Sequence, residues 1–297
     1  MELRQLKYFV TTAEMLSFSD AARKLFISQS TLSQQVRQLE DEMGMPLFQR
    51  TTHKVVLTEA GARLLPMARK TLNDAEACMS QVRDLNDMLS GTLTIGVTRM
   101  FRPMFLDTAK KFLNTYPGVH LSVHYCNRSE LIERLHRRDL DFALSYMTES
   151  VHEDIDSEVL FEDRLSVVMR KDHPLAGRSK VSVADLKGYK FALPADGVPT
   201  RPMLDRYMDV HDPSLTIPVE INSPTILLDL VKMYNYVTVL SKSIARYYPD
   251  LEAVELDVPD NLLYGCVHRV KGTYCKRSAA LFLQMLRESE EVVSMNA

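Results

Sequence analysis

Residues 17–50 constrain the fold of this chain most, because they predict two helices joined by a turn of only a few residues. Ser19 can cap the first helix and Ser28 the second, since serine hydroxyls accept the free N–H groups of a helix start. The apolar faces consist of Ala21, Ala22, Leu25 and Phe26 in the first helix and of Leu32, Val36 and Leu39 in the second. Two alanines allow close approach of the helices, so the pattern predicts a helix-turn-helix.

The outer face of the second helix is polar and carries groups that can read DNA. It consists of Gln29, Ser30, Thr31, Ser33, Gln34, Arg37 and Gln38, and the capping residue Ser28 is a further candidate for DNA contact. Glutamine amides pair with adenine edges, and an arginine reaches a guanine or a phosphate. Hydroxyls and the N–H groups of a helix start suit phosphate oxygens. Taken alone, such a face also fits an ordinary solvated helix.

The following segment favours DNA reading over a solvated helix. Residues 46–50 and 55–58 read as two short extended stretches around a polar, basic tip, which is the pattern of a wing. Arg50 and Lys54 would lie against the phosphate backbone or reach into the minor groove. Thr58 then caps a new helix.

These elements together resemble the winged helix-turn-helix of the LysR-type transcriptional regulators. The resemblance runs without a break from residues 3–9 to residues 57–61, and the order of later elements extends it to the whole chain. It implies a protein that binds double-stranded DNA, forms dimers and tetramers, and works with RNA polymerase in the cytoplasm. The family often carries proline and arginine where this chain has Ser30 and Gln34. Gln34 in place of arginine removes a charged contact, so the operator preference of relatives does not carry over to this chain.

Composition agrees with a two- or three-domain intracellular protein of 297 residues. Residues 1–70 hold 10 Lys/Arg against 7 Asp/Glu, a net of +3, while the remaining 26 and 32 give −6. A mildly basic head on an acidic body suits local DNA contact. The start lacks a signal-peptide pattern, and no apolar run approaches the roughly 20 residues that span a membrane, so we expect no membrane partner.

The four cysteines are expected to be free thiols rather than metal ligands or disulfides. Cys78, Cys126, Cys266 and Cys275 form no C-x-x-C pair, and their spacing together with His268 fits no common zinc pattern. Peroxide-sensing members of the family use a cysteine pair in the second half of the sensor domain. Residues 127–265 contain no cysteine, which argues against that switch.

A long helix is predicted after the wing, to about residue 89. Its seam repeats every 3.5 residues on average and consists of Ala68, Leu72, Ala75, Met79, Val82, Asn86 and Leu89. Such a heptad favours a two-chain seam over a helix packed on its own domain. By resemblance, this linker helix pairs with that of a second subunit.

From residue 91 onward, strands and helices alternate, which predicts mostly parallel sheets with right-handed crossovers. The predicted strands span 92–98, 119–125, 141–147, 165–170, 191–194, 217–221, 237–240 and 263–269, with helices between them and a last helix from 276 to 290. Two such lobes resemble the type 2 periplasmic-binding-protein fold of the family's effector domain. We therefore predict an α/β chain with a winged helix-turn-helix at 1–58, a linker helix at 59–90 and an effector domain at 91–297. Lobe I would cover about 91–163 and 266–297, and lobe II about 164–265.

A small-molecule effector is expected between the lobes, because ligands of open parallel sheets lie beyond the carboxyl ends of the strands, at helix starts. The candidate residues are Thr98, Arg99, Met100, Thr148, Pro194, Asn222, Ser223 and Thr225. Residues 146–148 and 194–197 would form further cleft walls. Each of these positions also fits a plain helix cap.

No catalytic set, metal site or resident cofactor is predicted. The chain has no G-x-S-x-G elbow, no P-loop and no H-E-x-x-H motif. Two alternatives remain open: a solute-binding protein with an accessory head, and a regulator of this family without a small-molecule effector.

Overall fold

The computed structural model describes residues 1–50, 54–83, 89–147 and 152–296, without the side chains of Arg50 and Arg83. These residues fall into two units, one made of residues 1–88 with 137–139 and the other of residues 89–136 with 140–297. Asn86 and Thr148, which the sequence places in the heptad seam and the effector site, lie outside the described residues.

The first unit is a helical head with a small wing. Its elements are α1 (Leu3–Met15), α2 (Phe18–Lys24), α3 (Gln29–Met43), β1 (Phe48–Arg50), β2 (Val55–Leu57) and α4 (Glu59–Arg83). Phe9 of α1 and Leu32, Val36 and Leu39 of α3 are fully buried in one core, and β1 pairs antiparallel with β2. The predicted helix-turn-helix and wing strands are therefore confirmed.

Two details of α2 differ from the prediction. Ser17, not Ser19, caps the helix, because the Ser17 hydroxyl accepts the Asp20 N–H at 3.2 Å. Phe26 was expected on the apolar face, yet its side chain is 95% exposed. Phe26 lies just past the helix in the left-handed region, with φ 55°, and this reversal of the backbone turns its ring outward.

The wing is tied to the helices on both sides. Glu40 of α3 accepts the N–H groups of Leu47 and Phe48 at 2.8 and 3.1 Å. At the start of α4, Gly61 passes so close that an added Cβ would lie 2.2 Å from the Leu47 carbonyl oxygen. Only glycine allows this approach, since real Cβ atoms do not come nearer than about 3 Å to other heavy atoms.

The heptad seam of α4 divides into two parts. Ala68 is buried in the core of the head, and Leu72 packs against that core. For Ala68, which is 1% exposed, the two-chain interpretation is wrong, because α4 packs there on α1 of the same chain. Leu72 is only partly buried, so the two-chain seam stays a prediction for it. Met79 and Val82 are 54% and 65% exposed, so the two-chain seam stays a prediction for them.

The second unit consists of two α/β lobes. In chain order its elements are β3 (Gly91–Val97), α5 (Arg102–Thr115), β4 (Val119–Tyr125), α6 (Arg128–His136), β5 (Phe142–Tyr146), β6 (Ile155–Asp163), β7 (Leu165–Arg170), β8 (Lys180–Val181), β9 (Lys190–Pro194), α7 (Arg201–Leu204), β10 (Thr216–Ile221), α8 (Pro224–Tyr234), β11 (Thr238–Ser241), β12 (Leu251–Leu256), β13 (Leu263–Val270), α9 (Arg277–Arg287) and α10 (Glu290–Asn296). Short 3-10 turns at Arg99–Phe101, Val183–Leu186 and Lys242–Tyr247 join some of them.

Lobe I is built on a five-stranded sheet of order β4-β3-β5-β13-β6. Lobe II contains a four-stranded sheet, β11-β7-β12-β8, and the parallel pair β10-β9. The chain passes from lobe I to lobe II between β6 and β7 and returns through β13. Pairing is parallel around β3 but antiparallel along β13 and β7, so the sheets are more mixed than predicted.

Several elements escaped the sequence prediction. Strands β6, β8 and β12 were not predicted, because none of them has a clear apolar run. Strand β6 exposes Asp156, Ser157, Glu158 and Val159 at the sheet edge, β8 has only two residues, and β12 is interrupted by glutamates. The last helix predicted at 276–290 corresponds to α9, and α10 follows it as an additional helix. The helix expected near residues 203–209 corresponds to α7, which begins at Arg201 and already ends at Leu204. Within the described residues, no helix is long and apolar enough to cross a membrane.

Candidate nucleic-acid interface and ligand cleft

The outer face of α3 presents amide and guanidinium groups to solvent. Gln29, Gln34 and Arg37 are exposed. Gln34 and Arg37 lie away from buried Leu32 and Val36, and Gln29 is exposed because it is the first residue of the helix. The predicted cap is present, because the Ser28 hydroxyl accepts the Thr31 N–H at 3.1 Å. Ser28 also shares hydroxyl hydrogen bonds of 2.8 Å with Ser30 and Thr31, which forms a cluster of hydroxyls at the helix start.

Gln29, the first residue of α3, is held by a side chain of α2. The Ser19 hydroxyl donates to Gln29 Oε1 at 2.9 Å. This contact fixes the orientation of the amide, with its oxygen toward Ser19 and its NH₂ group directed elsewhere. Sequence reasoning gave Ser19 the role of a cap and did not detect this contact, because it joins side chains ten residues apart.

The wing places one predicted basic residue at the surface. Lys54 is exposed at the base of β2, whereas the tip at residues 51–53 and the Arg50 side chain lie outside the described part of the chain. The Thr58 hydroxyl donates to the Pro46 carbonyl at 2.8 Å and accepts the Gly61 N–H at 3.0 Å. Thr58 thus caps α4 as predicted, and its hydroxyl is engaged within the head.

A cavity of about 250 Å³ lies between the two lobes of the second unit and is called the first cavity below. Lobe I contributes the loop after β3 and the β4–α6 junction, and lobe II contributes the loop after β9 and the start of α8. The lining residues include Thr98, Arg99, Met100, Tyr125, Cys126, Asn127, Glu130, Asp196, Gly197, Asn222 and Pro224.

Four of the eight predicted effector residues meet in this cavity: Thr98, Arg99, Met100 and Asn222. Pro194 is instead buried at the end of β9, where its carbonyl accepts a hydrogen bond from Arg201 at 2.9 Å. Ser223 is buried and Thr225 exposed, and neither lines the cavity.

Tyr146 was expected in the cleft wall, but its side chain turns away into the protein interior. The ring is 1% exposed, and its hydroxyl donates to Asp163. Burial raises the pKa of Tyr146 well above its ordinary value, and the negative charge of Asp163 raises it further, so the hydroxyl stays protonated.

Three helix starts surround the first cavity, one more than the sequence suggested. The 3-10 turn at Arg99–Phe101 leads into α5, Asn127 precedes α6, and Pro224 is the first residue of α8. Asn127 caps α6, since its Oδ1 accepts the Glu130 N–H at 2.9 Å. Each helix start carries partial positive charge and favours an anion nearby. Of the two lining carboxylates, Glu130 is paired with Arg134 at 3.1 Å.

The Thr98 hydroxyl uses its proton in a hydrogen bond within the protein. It donates to the Leu144 carbonyl at 3.2 Å, and the residue is 4% exposed. A hydroxyl that donates its proton keeps lone pairs that accept. Thr98 is therefore set to receive a hydrogen bond from a ligand donor or from a bridging water.

The thiols near the cleft are held in the protonated form. Burial is the main cause that raises the pKa of Cys126, and burial raises the pKa of Cys266 to about 11. Cys126 follows β4, and two strands separate β4 from β13, which carries Cys266. Three strand spacings amount to roughly 14 Å, too far for a disulfide. Among the described residues, no cluster of His, Cys, Asp and Glu could hold a metal ion.

Comparison with known families decides the identity of both units. Residues 3–62 match the model of the bacterial regulatory helix-turn-helix protein, lysR family, and residues 86–290 match that of the LysR substrate binding domain. The chain belongs to the LysR family. The candidate DNA-reading face and the interlobe cavity fall within these two matched ranges.

Relatives of this LysR-family chain include the hydrogen peroxide-inducible genes activator of Pectobacterium carotovorum subsp. carotovorum, at 33% identity over 198 residues. That alignment covers 66% of this chain and 65% of the relative, so slightly less than two thirds of the relative's length is spanned.

Two solved structures share the fold at 22% identity. A full-length OxyR variant from Pseudomonas aeruginosa aligns with a TM-score of 0.75 over 98% of this chain and 94% of its own. Full-length CbnR, solved as a complex with its target DNA, aligns with a TM-score of 0.63 over 97% of this chain and 99% of its own.

Proposed function

We propose that this LysR-family chain is a sequence-specific DNA-binding transcription regulator whose activity is modulated by a small-molecule effector. The observation that carries the proposal is the exposed outer face of α3, with Gln29, Gln34 and Arg37, in a head of the family's helix-turn-helix type. Amides and guanidinium on one helix face suit base edges in the major groove. The protein acts by binding and carries no resident cofactor in this proposal.

The protein acts in the cytoplasm, where a bacterial regulator meets its DNA. Its partners are double-stranded DNA, a second copy of the chain and RNA polymerase. The structural likeness to CbnR, which was solved on its target DNA, supports the first of these. Dimers through the exposed part of α4, and tetramers built from two dimers, would place several heads along one operator.

The effector is a small anion in the first cavity. Three helix starts converge there, and Arg99 lines the same space. Because the cavity lies between two lobes, a ligand that contacts both biases the angle between them. The protein then has two states that differ in the angle between the lobes. The ligand can change DNA-binding affinity by no more than the difference between its own affinities for these two states.

Peroxide is not the proposed signal, despite the likeness to a peroxide-inducible activator. The chain has no cysteine between residues 127 and 265, and the thiols of Cys126 and Cys266 have raised pKa values. Peroxide reacts with thiolates, so these two thiols are poor targets.

The decisive experiment is selection of bound sequences from random double-stranded DNA by the full chain, followed by mobility-shift titration of the selected site. Gln29→Ala should weaken binding to that site by about 1–3 kcal/mol and leave binding to random DNA nearly unchanged. Lys54→Ala should weaken both and flatten the salt dependence. Failure to enrich any sequence would contradict the proposal.

The dimer is tested at the exposed part of the seam, because Leu72 also packs on the head and is a poor choice. Met79→Glu with Val82→Glu places two charges on a surface that the described part of the chain leaves exposed. We expect monomers by analytical ultracentrifugation and loss of operator binding, since one head reads too few bases. Met67→Glu, at a 60% exposed position of the same helix outside the seam, is the control.

A further inference from the structure

A second and larger cavity adjoins the first cavity. It measures about 610 Å³, against 250 Å³ for the first. Asn127 of lobe I and the 197–199 loop of lobe II line both spaces. The cleft thus consists of two compartments that share a wall.

The two compartments differ in chemistry. The first is bordered by helix starts, amides and the hydroxyl of Thr98. The second cavity has an apolar wall, with Met147 at the end of β5, Met203 in α7, and Leu262 and Leu263 at the start of β13. Methionine side chains are flexible and polarisable, and they adapt to apolar groups of different shape.

Three charged residues line the second cavity: Arg128, Arg206 and Asp260. Arg206 and Asp260 are exposed and opposite in sign, so together they give no strong preference for a charged ligand. Arg128 is half-buried and is the first residue of α6, next to Asn127, which lines both cavities, so its charge favours an anion at the boundary with the first cavity. An apolar group placed against Met147, Met203 and Leu262 removes apolar surface from water. This hydrophobic contribution is the main source of binding free energy in the second cavity.

We propose that the effector is a carboxylic acid with an extended apolar body, alkyl or aromatic. Its carboxylate lies in the first cavity among the helix starts, and its apolar body extends past the 197–199 loop into the second. This inference rests on the proposed function and narrows its ligand class. Pockets for drug-sized ligands span about 300–1,000 Å³, so the second cavity, rather than the first, matches a body of that size.

The test is a series of straight-chain carboxylates, from butanoate to decanoate, titrated into the full chain by calorimetry. Each added methylene that enters the second cavity should improve affinity about fourfold, which converts from roughly 0.8 kcal/mol per buried methylene. Alkylammonium ions of equal length are the charge control and should bind at least tenfold more weakly. Equal binding of amines and acids would overturn the carboxylate assignment.

Met147→Asp examines the second cavity directly. This side chain lines the second cavity and is 38% exposed, so folding should survive the change. Octanoate should lose at least tenfold in affinity, while butanoate should bind as it does to the wild type. Met233→Asp changes a 70% exposed methionine of α8 that lines neither cavity, and it should leave both affinities unchanged. Leu262→Asp repeats the test from another wall.

Failure of this inference is distinguishable from failure of the proposed function. If butanoate binds and Arg99→Ala weakens its binding, but affinity does not rise along the series, the proposed effector site stands and the second compartment is excluded from it. If Met233→Asp reduces octanoate affinity as much as Met147→Asp, binding is nonspecific and the inference is overturned. If no acid of any length binds, the anionic effector itself is wrong.

Discussion

The Tyr146 hydroxyl donates a 2.7 Å hydrogen bond to Asp163 Oδ2, and both side chains are buried where the chain crosses from lobe I to lobe II. The other carboxylate oxygen accepts the Arg164 N–H at 2.8 Å and the Ser243 N–H of lobe II at 3.3 Å. One carboxylate therefore joins the end of β5 to the first residues of lobe II.

Tyr146→Phe should destabilise the second unit, because it removes a donor from a buried carboxylate and keeps the ring. We expect a loss of about 1–3 kcal/mol in the free energy of unfolding, measured by urea titration. Tyr125→Phe is the matched control, since its hydroxyl makes only a 3.3 Å contact at an exposed position. Equal stability of the two variants would show that the Tyr146–Asp163 bond contributes nothing.

His268 should make stability depend on pH. It is fully buried in β13, with Nε2 at 2.9 Å from the Ser145 hydroxyl and Nδ1 at 2.8 Å from that of Ser157. Burial lowers the pKa of His268 from 6.5 to about 4, and the charge of Arg128 adds to this effect. The unfolded state thus binds the proton first as the pH falls.

The stability contributed by a neutral His268 should be complete above about pH 6.5 and should be lost as the pH falls toward 4. The lowered pKa corresponds to a loss of about 3 kcal/mol in the free energy of unfolding as the pH falls from 6.5 to about 4. Urea titrations at pH 7, 5.5 and 4.5 measure it. His268→Gln keeps a polar group between the serines and cannot titrate, so its dependence on pH should be weaker. An unchanged dependence would assign the effect to other groups.

Phe26 should be replaceable with a gain in stability. It occupies the position after α2 that glycine usually takes, since its N–H bonds to Arg23 O and the Ile27 N–H bonds to Ala22 O. The same pair of bonds ends α3, where Gly44 stands at φ 72°. A left-handed conformation costs a non-glycine residue roughly 1–2 kcal/mol.

Phe26→Asn relieves part of this strain, and the 95% exposed ring loses little packing within its own chain. We expect an increase of about 0.5–1 kcal/mol in the free energy of unfolding of the head. The reverse change at the equivalent position, Gly44→Phe, should destabilise it. A loss of stability in Phe26→Asn would mean that the ring has an energetic role in the folded head.

Ser19→Ala should loosen the amide of Gln29 without touching α3. Affinity for the selected DNA site should fall by about 0.5–1.5 kcal/mol, the range for one hydrogen bond, in mobility-shift titrations. Binding to random DNA should be unchanged. In the Gln29→Ala background the Ser19→Ala change should have no further effect, and an additive loss would show that Ser19 acts independently of Gln29.

The sequence determined those features that depend on near neighbours in the chain. Spacings of three and four residues identified α3, and the Ser28 and Thr58 caps follow from hydroxyls placed just before helices. Alternation of apolar and polar residues marked β4, and a mostly apolar run marked β7. Sequence patterns gave the wrong structure where the same residues fit more than one local conformation. Phe26 looks like part of an apolar face and instead reverses the chain, and β6 carries an exposed edge pattern.

Only the tertiary structure decided which distant groups meet. Ser145 and His268 are 123 residues apart, and the first cavity joins Thr98 to Asn222 across two lobes. Such contacts depend on strand order and on the packing of the lobes, and neither follows from the periodicity of one segment. The sequence indicated the helix starts that favour an anion. The folded sheets brought two of those starts together with a third, that of α6, and placed an apolar compartment beside them.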